Sequence, residues 1–423
     1  MNLKILGAGI TALSIAHHLE KAGSKDFELF EAAEEPGGLC RTKNRDGFLI
    51  DYAVHTIFTS NPYVNELYEE FLRGNMLQKK SLAKIYFENK YIDYPFQGSL
   101  HEVSEKVQQD CLTGIIAARE TEHEKPKNFG EWIEITFGTG IANHFLIPYN
   151  EKKFGMRAHE MDTEFISWRC PEVSVEEVRN SIERPLRKEF GYNPNMRYPA
   201  NGGFDELIKA FTSRISSPIH TEHSATEIDT ENRTVKFENG KETKYETLVS
   251  TIPLPELVKI TKDVPAEISA LAKKLKNQPV WVYSFGITKP PKKPFYWAYY
   301  GDADISFVRL SIPSAFSDSV APKGKHLLQV ECSEEFTPER VIKDMIKVGV
   351  LDRKDDVCLI DENLLEYGYV QMETSHPEII AKITDWFKER GIHCVGRFGA
   401  WRYLNADECI QAGKDFADSV GGG

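Results

Sequence analysis

The run Gly7-Ala8-Gly9-Ile10-Thr11-Ala12 follows a strand-like segment, Leu3-Lys4-Ile5-Leu6, and opens a stretch to Ala22 whose apolar residues Ile10, Leu13, Ala16 and Leu19 recur at a helical period. Phe27-Glu28-Leu29-Phe30 then reads as a second strand. Strand, glycine-rich turn, helix and strand in thirty residues form the smallest unit of a parallel sheet with a crossover helix. In the G-x-G-x-x-G/A spacing, Gly7 permits a tight turn and Gly9 lets the backbone approach a pyrophosphate. Ala12 lets helix and strand pack closely, while the helix N-terminus faces the negative charge. Glu31, which closes the second strand, puts a carboxylate where the ribose hydroxyls of an adenosine would lie. A glycine turn that binds nothing is the alternative, and Glu31 weighs against it.

A second cluster narrows the cofactor. Glu35-Pro36-Gly37-Gly38-Leu39-Cys40-Arg41-Thr42 brings two adjacent glycines and an arginine towards the same diphosphate, an approach that a domain for NAD alone does not need. FAD is therefore expected. Far along the chain, Gly396-Arg397-Phe398-Gly399 and Asn405-Ala406-Asp407 precede a last helix, whose N-terminal amides would face the flavin's pyrimidine edge. A helix cap explains Asp407 equally well by itself.

At 423 residues the chain exceeds one ordinary core. The expected fold class is α/β: a Rossmann-type FAD-binding domain with discontinuous α+β substrate lobes. Residues 1–60, 200–260 and 385–423 are expected to form the FAD domain, 61–199 a mainly helical lobe, and 261–384 a β-rich lobe. Within them a helix is read over Tyr63 to Phe71, a strand over Lys84 to Ile92, a helix from Phe204, and a β-meander from Ala225 before the strand Thr247 to Ile252. The formal net charge of −12 opposes nucleic acid or an anionic membrane surface as the main partner. Seven scattered cysteines without a C-x-x-C pair point to reduced thiols, with no disulfide framework and no metal site. No apolar run is long enough to insert into a membrane, so a cytoplasmic location is expected.

The chain resembles the UDP-galactopyranose mutases, within the wider amine oxidase and protoporphyrinogen oxidase group of FAD proteins. Gly7 to Ala12 and Gly37 to Thr42 belong to the broad group. Tyr94-Pro95-Phe96-Gln97, Phe307-Val308-Arg309 and Gly396-Arg397-Phe398-Gly399-Ala400-Trp401-Arg402-Tyr403 point to the mutases, and Ile147-Pro148-Tyr149-Asn150 and Tyr198-Pro199-Ala200-Asn201-Gly202-Gly203 match as well. The resemblance implies non-covalent FAD held by Gly7, Gly9, Ile10, Ala12, Glu31, Ala32, Gly37, Gly38, Leu39, Arg41, His55, Thr56, Ala225, Gly396, Arg397, Tyr403, Asn405 and Asp407. Gln97 and Trp168 would hold the uridine, Arg309 and Arg397 the diphosphate, and Tyr299, Tyr369 and Tyr403 would place phenols against phosphates or sugar. His55, Arg309, Arg397 and Tyr403 are the implied catalytic set.

The implied activity is pyranose–furanose interconversion of a UDP-hexose through an adduct with N5 of the reduced flavin, as in cell-surface polysaccharide biosynthesis. NAD(P)H is the candidate reductant and a homo-oligomer the candidate assembly. One departure from the resemblance stands at Ala53-Val54-His55, where a glycine is expected before the histidine; a β-branched valine resists the torsions that glycine allows. It keeps two rivals open: an amine oxidase or dehydrogenase on the same FAD domain, and a catalytically silent FAD protein that binds a sugar nucleotide.

Overall fold

In the computed structural model, which describes residues 2–163, 170–186 and 195–421, the strand Leu3–Leu6 is buried along its whole length. The reason is its place at the centre of a five-stranded parallel sheet, ordered Ile392–Cys394, Thr247–Ser250, Leu3–Leu6, Phe27–Phe30, Ile219–His220. A parallel sheet needs cover on both faces. The helix Ile10–Lys21 lies against the helix Ala406–Gly421, where the Ser14 hydroxyl donates to the Ile410 carbonyl at 2.7 Å. A second cluster joins Leu6, Phe30 and Leu248 to Ile228 and Phe237 of a small antiparallel meander, Ala225–Asp229, Thr234–Phe237 and Glu242–Lys244. The architecture is thus the α/β, Rossmann-type one, with the strand Ile392–Cys394 and the helix Ala406–Gly421 returning to complete it.

The second large element is a seven-stranded sheet ordered Val357–Gln371, Lys276–Ile287, His326–Cys332, Arg309–Ser311, Trp297–Tyr300, Ala83–Phe87, Lys90–Asp93. Between 61 and 199 the helices Pro62–Phe71, Glu105–Glu120, Phe129–Ile141, Ile147–Phe154 and Val175–Glu183 accompany strands Met76–Lys80 and Asn195–Pro199, which pair with each other. The first helix starts where Asn61 accepts the Tyr63 amide at 2.9 Å and Pro62 has no N–H that needs an acceptor, a cap worth about 1 kcal/mol. Phe96, Phe129, Ile133, Phe137 and Phe154 fill the core between this helical layer and the sheet.

The single strand read over Lys84 to Ile92 is two, Ala83–Phe87 and Lys90–Asp93. Glu88 and Asn89 take φ of 48° and 58°, the pair of left-handed residues that a two-residue hairpin requires. The sequence Glu-Asn lacks the glycine that usually announces such a turn.

Candidate functional site

Both glycine-rich turns lie at the carboxyl end of the parallel sheet, where open α/β sheets bind ligands. Gly7 has φ of +91°, and a Cβ there would stand 2.5 Å from the Thr251 hydroxyl. Gly9 differs: a Cβ would meet nothing within 4 Å, because this residue faces an open cavity. The second turn is bound to the first, the Gly37 amide donating to the Ala8 carbonyl at 2.8 Å. Arg41 is held over the Tyr52 ring at 4.5 Å, with Nε donating to the Gly38 carbonyl. The Glu31 carboxylate accepts from the Ala8 amide at 2.7 Å and the Ala33 amide at 3.0 Å, which fixes it at the rim.

These residues enclose a cavity of about 740 Å³, within the range of small-molecule sites. Of the residues expected at the cofactor, Gly7, Gly9, Ile10, Glu31, Ala32, Gly37, Gly38, Leu39, Arg41, His55, Ala225, Arg397 and Asn405 line it. Ala12 is buried within its helix. Gly396 packs behind, where a Cβ would stand 2.4 Å from the Thr11 hydroxyl. The N-termini of helices Ile10–Lys21 and Ala406–Gly421 both meet the cavity, so two sets of amide dipoles favour an anionic or electron-rich ligand. A long dinucleotide fits this donor set.

A smaller cavity of about 280 Å³ adjoins the first, and His55, Arg397, Asn405 and Ala406 line both. Thr56, Gln97, Tyr299, Arg309, Tyr403 and Asp407 line this second space. Tyr369 stands behind Tyr403, ring centroids 5.6 Å apart, and Trp168 lies outside the described residues. Gln97 is buried, with its amide nitrogen donating to the Pro171 carbonyl at 2.6 Å. The Tyr299 hydroxyl accepts from the Trp297 indole at 2.9 Å.

His55 is stacked on Phe204 at 4.8 Å. Burial pushes its imidazole down to about 4, outweighing the opposing effect of the Ala53 carbonyl. That carbonyl only accepts, so Nδ1, 2.8 Å away, carries the proton and Nε2 is left as an acceptor. Val54, whose φ is not positive, contributes its side chain to the wall of the smaller cavity. Arg397 is fixed by NH1 on the Leu404 carbonyl and NH2 on that of Gly368, while its buried Nε has no hydrogen-bond partner among the described residues. Arg397 thus lines both cavities with one guanidinium donor left unsatisfied among the described residues.

Several site residues escape motif reading. The helix Ile147–Phe154 adds Lys153 and Phe154 to the smaller cavity beside Tyr149 and Asn150, which belong to a matching segment without an expected role; the signal available was the four-residue spacing of Tyr149 and Lys153, which puts both on one helix face. Glu331 is the other. Its carboxylate is buried in the strand His326–Cys332, receives Arg309 Nε at 3.1 Å and accepts the Tyr369 hydroxyl at 3.2 Å. One acid within the run Leu327-Leu328-Gln329-Val330-Glu331-Cys332 demands a buried partner, which the sequence alone does not name.

Comparison with known proteins gives the same picture at lower resolution. The structure superposes on reduced UDP-galactopyranose mutase with a TM-score of 0.93 and 27% identity, covering 100% of this chain and 94% of that one. A putrescine oxidase double mutant shares the fold alone, with a TM-score of 0.66 and 13% identity over 99% of this chain and 98% of the other. The 15-cis-phytoene desaturase of Glycine max is 36% identical over 87 residues, 20% of this chain and only 15% of the desaturase's own length. A family model described as flavin containing amine oxidoreductase matches residues 10–345. That match runs from the first helix through the second glycine-rich turn and six of the seven strands of the second sheet, and the chain belongs to the flavin-containing amine oxidoreductase family.

Proposed function

We propose that the chain binds FAD non-covalently in the larger cavity and, with the flavin reduced, interconverts pyranose and furanose forms of a UDP-linked hexose in the smaller one. The observation that carries this reading is the junction: Arg397 and His55 belong to both cavities, and the smaller one adds cations and aromatic rings suited to a nucleotide diphosphate. Whole-chain similarity to a UDP-galactopyranose mutase supports it. In this reading residues 1–60, 200–260 and 385–423 carry the cofactor, and 61–199 and 261–384 face the sugar nucleotide.

Glu31 would hold the adenosine ribose, with Ala32 and Ala225 beside it. The backbone at Gly7, Gly9, Ile10, Gly37, Gly38 and Leu39 would hold the pyrophosphate together with Arg41, and Thr56, Asn405 and Asp407 would lie by the flavin ring. The chemistry that a bound, reduced flavin supplies is nucleophilic attack through N5 on the anomeric carbon, without net redox change. The protein's own task is positional and electrostatic. Arg397 is already oriented by two carbonyls and offsets the charge that grows on departing UDP, and neutral His55 accepts a hydrogen bond at Nε2 from a ligand hydroxyl. Tyr299 and Tyr403 line the sugar side and exclude water, with Gln97 towards the base.

Oxidation of an amine is the second reading, favoured by the family itself and by the likeness to a putrescine oxidase. Lys153 and Arg397 in the cavity wall would repel a protonated amine, whereas the charge of Arg309 is offset by Glu331. Chromatography of UDP-galactose and UDP-galactofuranose incubated with dithionite-reduced and air-oxidised protein separates the two. The proposal expects interconversion with the reduced form only. Steady peroxide production from an amine, with no sugar turnover under either condition, would establish the second reading instead.

A further inference from the structure

Tyr299 and Arg309, both at the smaller cavity, belong to one hairpin: the strands Trp297–Tyr300 and Arg309–Ser311 run antiparallel with Tyr299 opposite Arg309. The loop 301–308 closes that hairpin, so its position sets where both side chains stand. The helix Ile147–Phe154 supplies Tyr149 to the same cavity, its ring centroid 5.4 Å from that of Tyr299. Loop and helix also touch directly, since a Cβ on Gly301 would lie 3.8 Å from Tyr149.

Lys152, on this helix, ties the two together. Its Nζ donates to the Asp302 carbonyl at 2.7 Å, to that of Phe307 at 2.9 Å and to that of Tyr300 at 3.3 Å. Tyr300 and Phe307 stand at the two ends of the loop, one next to Tyr299 and the other two residues before Arg309. An ammonium has three donors and no acceptor, which matches three carbonyls. A neutral amine has two donors and a lone pair, so one carbonyl loses its partner. Burial pulls the Lys152 ammonium down to about 8, against the attraction of Asp302, Cys332, Asp304 and Asp344. These groups come from the loop itself, from the strand His326–Cys332 and from the helix Pro338–Lys347. Asp344 is already bound by the Ser306 amide at 2.8 Å and by Arg340 at 2.9 Å, and Asp304 by Lys347, so the three carbonyls are the ammonium's direct partners.

We propose that Lys152 is a positioning residue: its protonated amine holds the loop 301–308 to the helix Ile147–Phe154, keeps Tyr299 and Arg309 in place for the sugar nucleotide, and gives sugar-nucleotide binding an alkaline limit. This rests on the UDP-sugar reading. Lys152 does not line the cavity and acts through the hairpin.

The test is titration of the oxidised, FAD-loaded protein with UDP-galactose, followed by flavin absorbance, from about pH 7 to about pH 9. The wild type is expected to bind about 10-fold more weakly at the upper end, where the amine is mostly neutral. Lys152→Arg stays charged throughout and keeps its affinity at both ends. Lys152→Met binds at the lower end as weakly as the wild type at the upper end, with no further dependence on pH and with its FAD retained. Deprotonation of the ligand's own uracil appears equally in every variant. A flat wild-type profile, an alkaline loss that persists undiminished in both variants, or wild-type affinity of Lys152→Met at the lower end overturns the assignment and leaves the mutase reading intact. Absence of any response of the wild type to UDP-galactose overturns both.

Discussion

The parallel sheet and the seven-stranded sheet each supply one wall of the site, but by different means. Around the parallel sheet the backbone forms the site: Gly9 leaves open space, Gly37 bonds back to Ala8, and two helix N-termini converge. Around the seven-stranded sheet the site is made of side chains, with Arg309 on one strand, Glu331 on the next, Tyr369 on a third, and Lys153 from a separate helix. Backbone recognition suits the constant part of a dinucleotide. Side chains from several elements can change one at a time, so substrate choice resides there.

Arg397 belongs to both walls, and its loss gives the largest effect. Arg397→Ala is expected to slow sugar turnover by about 10²–10³ and to weaken FAD retention as well, checked by steady-state kinetics and by flavin content after gel filtration. If turnover falls while flavin content is untouched, the residue serves only the second wall. Gly9→Val places a side chain in the open space of the first wall and should reduce FAD affinity by roughly 100-fold with the fold retained by circular dichroism. Full FAD occupancy in that variant would mean that the pyrophosphate does not pass Gly9.

Glu31→Ala should cost about 1.5–3 kcal/mol of FAD binding while the remaining holoprotein binds UDP as before. A parallel loss of UDP affinity would break the separation of the two walls.

The smallest effect concerns pH. An unfolded histidine protonates near 6.5 and His55 only near 4, so its contribution to stability is complete above about pH 6.5 and is lost as pH falls towards 4. Urea unfolding at pH 7 and pH 5 should show the stability of wild type relative to His55→Asn falling by roughly 2 kcal/mol at the lower pH. A difference that stays constant between the two pH values would place His55 in water.

The first wall was legible from sequence because its function needs particular backbone conformations that few residues allow. Gly7, Gly9, Gly37 and Gly38 occur at fixed spacing beside strands whose apolar runs announce them, and Glu31 follows from the length of the βαβ unit. The second wall was legible only in part. Arg309, Arg397, Gln97, Tyr299 and Tyr403 came from resemblance, and the structure brings them to one cavity. Glu331 and Lys153 were not found, since an acid in an apolar strand and a lysine on a short helix have no local pattern that names their partners. The hairpin at Glu88 and Asn89 was missed for a related reason: two non-glycine residues adopt left-handed conformations because the paired strands on either side hold them there.

If the larger cavity holds a flavin and opens, at His55 and Arg397, onto a site for a nucleotide diphosphate, a ligand in the smaller cavity is visible at the flavin. Titration of the oxidised holoprotein with UDP, followed by flavin absorbance, tests this most directly, because a ligand seated at a shared wall perturbs the flavin's surroundings. A saturable spectral change is expected with UDP and UDP-galactose and none with putrescine. A saturable change with putrescine, and none with UDP at any concentration, would contradict it.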